Sequence, residues 1–498
     1  MEQSLDRATP ESVGIPSNAI VDWVNELEHE APDPHSLMIV RHGKVVAEGW
    51  WAPNAPELRQ TLFSLSKSFT STAVGIAIAE GHFGLDDAVV SFFPTEAPAH
   101  VSPNLAAIKV RHILAMCTGH TAETVDSAGP GVGKGTNLVR GFLALPVTNP
   151  PGTHFVYNSP ATYMLSAILQ KRTGQKLVDY LRPRLFEPLG IENPTWEEDR
   201  AGINMGGFGL KVRTEEIARF GQLYLQKGMW GGKRLLPAEW VEAATSRQIE
   251  TGPTPNPNPD WQQGYGYQFW RGRHGSFRGD GAFGQFCVVV PAQDLVVAVT
   301  SGTGPMHRIL DTLWGIVLPA LRPAALPQDR AAHQALSQRL AGLRLVPRSG
   351  AGSSALETSL NGAKFTCAEN PFGWSSLSLE FGARGGALVL GVDGRRQRRI
   401  RFGRSAWRTG PSAVVLGWQG QHPATGAGWR DQPLAASAAW PRPGRLELDV
   451  CLYTNAYRYT LTFDLSGRQL RVSVRVNVAF GPTDLGVLVV RLAGSDAE

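Results

Sequence analysis

Apolar residues recur at helical spacing over 19–30, A-I-V-D-W-V-N-E-L-E-H-E, and predict a first helix. S-L-M-I-V, R-H-G-K and V-V-A-E-G-W then read as strand, turn and strand, with Gly43 in the turn. A helix that looks buried runs from Ser64 to about Glu80. Short helical pieces such as 105–116 follow, with a glycine-rich stretch at 127–135. Further helices are predicted over 160–172 and from Thr214, where T-E-E places acidic residues in the first turn. Y-G-Y-Q-F-W at 265–270 reads as a strand. C-V-V-V-P-A-Q-D-L-V-V-A-V-T at 287–300 reads as two strands joined at 291–294, and 306–318 as a closing helix. A strand cluster fed from both ends of the unit predicts an antiparallel sheet with helices packed around it, an α+β fold.

The pattern changes after 319. Residues 321–345 read as a linker with a short helix at 330–342, and 346–498 as many short strand-like runs separated by glycine. These runs include A-L-V-L-G-V-D-G, A-V-V-L-G-W, R-L-E-L-D-V-C-L-Y and G-V-L-V-V-R-L, and they predict an all-β domain, sandwich or barrel. The expected organisation is one unit over 1–320, the linker, and an accessory domain. A chain of 498 residues exceeds one ordinary core, and 42% hydrophobic residues exclude a disordered composition. The net charge of +5 is small for this length and no Lys/Arg run stands out, so nucleic acid is not an expected partner. No apolar run reaches about 18 residues and the start shows no signal pattern, so no membrane contact and a cytoplasmic location are expected. Cys117, Cys287, Cys367 and Cys451 form no CxxC pair and read as reduced structural residues.

The chemistry starts at S-L-S-K, residues 64–67. Residues i and i+3 share a helix face, so Ser64 and Lys67 can meet. A lysine in a dry site loses solvation of its charged form, becomes neutral more readily and can serve as a base for the serine. The nearby helix N-terminus favours negative charge at Ser64. The same tetrapeptide also suits a surface lysine beside a capping serine. Ser66 and Ser68 read as small packing or hydrogen-bonding residues. Tyr157, Asn158 and Ser159 in F-V-Y-N-S-P precede a helix, where a tyrosine can relay a proton between nucleophile and leaving group. In R-H-G-S-F-R-G-D-G-A-F-G-Q-F, glycines at 279, 281 and 284 let backbone approach a ligand, and one N–H there could join that of Ser64 as an oxyanion hole.

Taken together and in this order, the three segments make the chain resemble the serine β-lactamase-like, penicillin-recognising hydrolase superfamily. Its class C β-lactamase, esterase and 6-aminohexanoate-dimer hydrolase branches are all similar to residues 8–320. Supporting stretches are V-R-H-I-L-A-M-C-T-G-H at 110–120 and G-G-F-G-L-K-V-R-T-E-E-I-A-R-F-G at 206–221. The resemblance implies a β-lactamase/transpeptidase-like domain with a helical subdomain. It makes Ser64 the acylated nucleophile, Lys67 its base and Tyr157 the proton shuttle, with the N–H groups of Ser64 and Ala282 as oxyanion donors. Substrate-binding candidates are Asn158, Ser159, His274, Arg278, Asp280 and Phe283.

Two positions depart from the family pattern. Ser159 stands where the family's tyrosine motif ends in asparagine, and no Lys-Thr-Gly or His-Thr-Gly triplet exists. Both leave acyl transfer intact but weaken the case for penicillin recognition, since the missing triplet is the one whose side chains grip the β-lactam carboxylate in the family. Asp280 could orient Tyr157, a substrate amine or its own turn. His112, His120 and His154 lack metal-ligand spacing, and Trp50, Trp51, Trp261 and Trp270 suit either cleft wall or core. The expected activity is cofactor- and metal-free hydrolysis of an amide or ester in a small molecule or short peptide, by a protein that can form homo-oligomers. A β-lactamase or D-stereospecific peptidase, and a binding protein on the same fold, are the alternatives. The role of the β domain is open.

Overall fold

The computed structural model describes residues 4–124, 137–252, 257–392, 396–411, 433–466 and 469–492. Among them a seven-stranded sheet is built from β1 (Asp6–Arg7), β2 (Pro34–Arg41), β3 (Lys44–Trp50), β4 (Trp270–Arg271), β5 (Phe277–Gly281), β6 (Gln285–Val290) and β7 (Leu295–Ser301). Its order is β1-β3-β2-β7-β6-β5-β4, antiparallel except where β1 joins β3. The chain ends of the unit thus meet at β2 and β7, where Val297 pairs with Ile39.

Alternation explains why these strands are apolar throughout. Met38, Val40, Cys287, Val289, Val296 and Ala298 face one core, and Leu37, Ile39, Phe286, Val288, Val297 and Val299 face the other. The first core is covered by α2 (Ser66–Ala79), α3 (Ser159–Thr173) and α4 (Thr214–Leu225), through residues such as Phe69, Leu165 and Phe220. The second is covered by α1 (Ser17–Glu30), which buries Ile20, Trp23, Val24 and Leu27, and by the helical segment 307–320. The segment 321–345 carries the helix Arg330–Ala341, which buries Leu336 and whose Arg339 bonds Asn25 of α1.

Two sequence expectations are corrected. The aromatic run 265–270 is not a strand; only Trp270 belongs to one. Gln268 adopts φ 66°, its N–H bonds Leu114 O and its carbonyl accepts from Ser68 Oγ, so the backbone is committed to helices rather than to a ladder. The helical stretch 105–116 is two short helices, Pro103–Ala106 and Val110–Leu114, because Ile108 O is taken by Val89 N–H between them. The stretch 127–135 and the A-V-V-L-G-W run lie outside the described residues.

The C-terminal part is a barrel. Among the described residues, ten strands between Lys364–Cys367 and Asp484–Leu492 form an antiparallel sheet, of which nine make the closed array and Arg408–Pro411 adds to Pro433–Arg442. It closes where Gly403 and Arg404 pair in parallel with Ser437 and Ala438. Its core holds Leu379, Leu388, Leu448, Leu461 and Val472, and it also takes in Phe63 and Phe283 from the first unit. Among the described residues no helix is long and apolar enough to cross a membrane.

Candidate active site

Ser64 lies in a single 3-10 turn, Phe63–Leu65, that feeds directly into α2. Ser66 fixes this turn from both sides. Its Oγ donates to Phe63 O (2.7 Å) and accepts from Leu210 N–H (3.1 Å), while Leu62 N–H bonds Leu210 O (2.9 Å). Phe63 itself has φ 48°, a conformation that costs a bulky residue on the order of 1–3 kcal/mol and persists only when the surroundings hold it.

One turn later, Lys67 points back at Ser64. Its Nζ lies 2.9 Å from Ser64 Oγ, 3.1 Å from Ser159 Oγ and 2.8 Å from Gly207 O. The side chain is 1% exposed, which rules out the surface-lysine reading of S-L-S-K. Burial brings its pKa down to about 7, against smaller upward pulls from Glu123 and Asp280. A lysine near neutrality at working pH is the form that accepts a proton.

Tyr157 closes the triangle. Its hydroxyl interacts with Ser64, and Lys67 Nζ sits 4.8 Å from its ring centroid. The ring stacks on Trp270 at 5.7 Å with an interplanar angle of 19°, which fixes its orientation. Burial holds the phenol well above its ordinary pKa, so it carries its proton. Lys67 and Tyr157 thus both act on the Ser64 hydroxyl, one suited to take a proton and the other to give one.

The third segment packs against the nucleophile turn. A Cβ on Gly279 would lie 2.1 Å from Leu65 Cδ1, and one on Gly281 2.2 Å from Leu62 O, so only glycine lets β5 come this close. This juxtaposition brings the β5–β6 turn, which holds the half-buried Ala282, against the Phe63–Leu65 turn. The adjacent Phe63 and Phe283 rings meet at 5.3 Å.

The beta-lactamase family model matches residues 30–322, more than half of the chain. The chain belongs to the beta-lactamase family. It is 26% identical over 318 residues to the 6-aminohexanoate-dimer hydrolase of Paenarthrobacter ureafaciens, covering 59% of this chain and 80% of that one. It is 26% identical over 200 residues to the D-aminopeptidase of Brucella anthropi, covering 37% of each. Among solved structures, one described as a 6-aminohexanoate-dimer hydrolase from Bacillus anthracis superposes with TM-score 0.53 and 19% identity. That match covers 65% of this chain and 89% of the other. EstCE1, a hydrolase with promiscuous acyltransferase activity, gives TM-score 0.50 and 18% identity over 60% of this chain and 99% of its own. These superpositions show the fold of the family, and the relatives support a hydrolase role at family level.

The remaining candidates fall into two groups. Ser159 and Asp280 belong to the cluster: Ser159 through its bond to Lys67, Asp280 through its buried carboxylate, which interacts electrostatically with both Lys67 and Tyr157. Asp280 is tied to Arg278 (Nε to Oδ2, 3.0 Å), and burial raises its pKa to about 6 despite that partner. Arg278 is consumed internally. It is 1% exposed, lies over Trp261 and donates to Asp260 O, so its charge is spent on the wall of the fold. Asn158 is buried and accepts from Thr124 Oγ1 (2.8 Å), which makes it a brace for the loop above the site. His274 sits on an exposed turn before β5, at the end remote from Gly281, and contacts Trp314 at 5.2 Å.

Several groups escaped the sequence reading. Gly207 O holds Lys67, and a Cβ at Gly207 would come 2.9 Å from Ser159 O. The signal was the G-G-F-G run, but a backbone acceptor has no side chain to mark it. Glu123 accepts from Ser159 N–H (3.1 Å) and places an acidic group at the rim. Gln268 accepts from Thr162 Oγ1 and donates to Ile113 O and Leu114 O, knitting α3 to the nucleophile helix through Ser68.

Proposed function

We propose that the protein is a serine hydrolase that cleaves an amide or ester of a small molecule or short peptide through an acyl-enzyme on Ser64. The observation that carries this reading is the buried Lys67 amine 2.9 Å from Ser64 Oγ. As an ammonium, Lys67 has three N–H groups for its three oxygen neighbours; as an amine it has two and a lone pair. Gly207 O can only accept and keeps one N–H, so the lone pair falls to a hydroxyl. Taking the Ser64 proton on that lone pair frees Oγ to attack the carbonyl carbon. Tyr157 O–H then gives its proton to the departing nitrogen or oxygen as the carbonyl–heteroatom bond breaks, and Lys67 re-supplies the tyrosine. Water reverses the sequence, entering with its proton taken by the same pair and releasing the acid from Ser64. The N–H groups of Ser64 and Ala282 are assigned to the oxyanion.

The third-motif position disfavours the β-lactam reading. It reads Gly279-Asp280-Gly281, and the nearest cation, Arg278, is neutralised by Asp280. Among the described residues, Arg278 is thus buried and committed to Asp280 rather than presented to a substrate carboxylate. The test is turnover of p-nitrophenyl acetate, a p-nitroanilide and benzylpenicillin by wild type and Ser64→Ala. Ester or anilide turnover lost in Ser64→Ala, with penicillin turned over least, is the expected result. Turnover that persists in Ser64→Ala would overturn the assignment.

A further inference from the structure

Phe63 and Phe283 flank the two halves of the acyl-transfer site, one residue before Ser64 and one residue after Ala282. Both adopt left-handed backbone, with φ 48° and 66°, and both rings lie against the barrel. Tyr457, between the barrel strands Arg445–Cys451 and Arg458–Ser466, meets them at 6.2 and 5.9 Å. Phe480, between the strands Gln469–Val476 and Asp484–Leu492, meets Phe283 at 4.9 Å and Phe63 at 6.3 Å. The first three rings are buried, but Phe480 is 76% exposed.

The placement is rigid. Thr61 N–H bonds Thr454 O, Gln60 Nε2 bonds Tyr453 O, and Asn477 Nδ2 bonds both Gly302 O and Ala456 O. Asp33 and Arg458 add an ion pair at 2.9 Å. The barrel therefore holds the segment leading into Ser64, and it leaves a large aromatic face open to water beside it. An exposed ring of this size gains most when an apolar group covers it.

We infer that Phe480 and Tyr457 of the barrel, with Phe63 and Phe283, form an apolar subsite that seats an aryl or alkyl group of the substrate next to Ser64. The inference rests on the serine hydrolase reading and deepens it: the substrates are amides or esters with an uncharged apolar substituent, and the β domain sets that preference. The ligand-facing surface is the exposed ring of Phe480, which the three buried rings back and hold in place, and an aromatic face of this kind suits aryl or alkyl contact.

The test is the acyl-chain series p-nitrophenyl acetate, butanoate and octanoate, with full-length wild type, Phe480→Ala and Val489→Ser. Val489 is an exposed apolar residue of the last barrel strand and controls for general loss of surface hydrophobicity. The octanoate-to-acetate ratio of kcat/KM should fall roughly tenfold in Phe480→Ala, the scale of pocket discrimination between apolar groups, and hold in Val489→Ser. An unchanged ratio in Phe480→Ala overturns the subsite while ester turnover leaves the hydrolase standing. So does a Phe480→Ala variant that alters only the elution volume on gel filtration. Wild type that neither hydrolyses any ester nor is labelled at Ser64 overturns the hydrolase reading, and the subsite with it.

Discussion

Below about pH 7 the ammonium of Lys67 has no lone pair to offer Ser64, so its titration sets the acid side of the rate profile. The logarithm of kcat/KM should rise with unit slope to about pH 7 and then level. Asp280 pulls the Lys67 pKa upward, and replacing it by asparagine also leaves the Arg278 cation uncompensated. Both effects favour the neutral amine, so Asp280→Asn should move this limb to lower pH; a limb that moves upward or stays would contradict the coupling. Lys67→Ala should fold yet acylate about 10²–10⁴-fold more slowly. Tyr157→Phe keeps the stack on Trp270 and removes only the proton donor. Its defect should therefore be small for p-nitrophenolate and grow with the basicity of the leaving group, read from a series of aryl and alkyl esters. A uniform loss across the series would assign Tyr157 to positioning alone.

At the scale of elements, the site exists because two glycine-bearing segments, at Gly207 and at Gly279–Gly281, approach the nucleophile helix and the turn before it. Gly279→Ala would set a Cβ 2.1 Å from Leu65 Cδ1 and 2.8 Å from Ser68 Oγ, and the Leu65 methyl, fully buried in the core, has no open space to swing into. β5 must then part from the nucleophile turn. Activity should fall with a stability loss of about 1–3 kcal/mol by denaturant titration, whereas Gly141→Ala, with open space around it, should do neither. The elements most legible in the sequence were those whose register is set locally. Ser64 and Lys67 stand one helical turn apart, Tyr157 stands just before α3, and the two strands around 291–294 announce themselves by alternation. The 265–270 run was misread because its aromatic alternation satisfies the strand pattern. Its backbone is nevertheless held by Leu114 O, Ala244 O and Ser68 Oγ, partners distant in sequence. Gly207 was legible only as glycine, not as the acceptor that anchors Lys67.

For the whole molecule, the barrel is part of the site's scaffold. Its residues grip Gln60, Thr61 and Gly302, and its aromatic rings cover Phe63 and Phe283. Asn477→Ala removes three contacts that join the barrel loop to Gly302, Ala456 and Asp33. It should lower the melting temperature, by an amount equivalent to about 1–3 kcal/mol for the buried carbonyls left without a donor, and slow acylation at Ser64. A lower melting temperature with acylation unchanged would separate the barrel's grip from the site. The sequence showed that an all-β domain follows the first unit, but which of its loops touch the nucleophile depends on how a closed sheet docks. Tyr453, Thr454, Tyr457 and Asn477 carry no local pattern that would mark them.

The central claim is that Ser64 is the group acylated, with Lys67 removing its proton. Intact-mass spectrometry after incubation with a fluorophosphonate and with an activated acyl ester tests it most directly, in wild type, Ser64→Ala and Lys67→Ala. One adduct per chain in wild type, mapped to Ser64, absent in Ser64→Ala and formed far more slowly in folded Lys67→Ala, is the predicted result. An adduct that persists in Ser64→Ala, or one that forms at the wild-type rate in Lys67→Ala, would contradict the account.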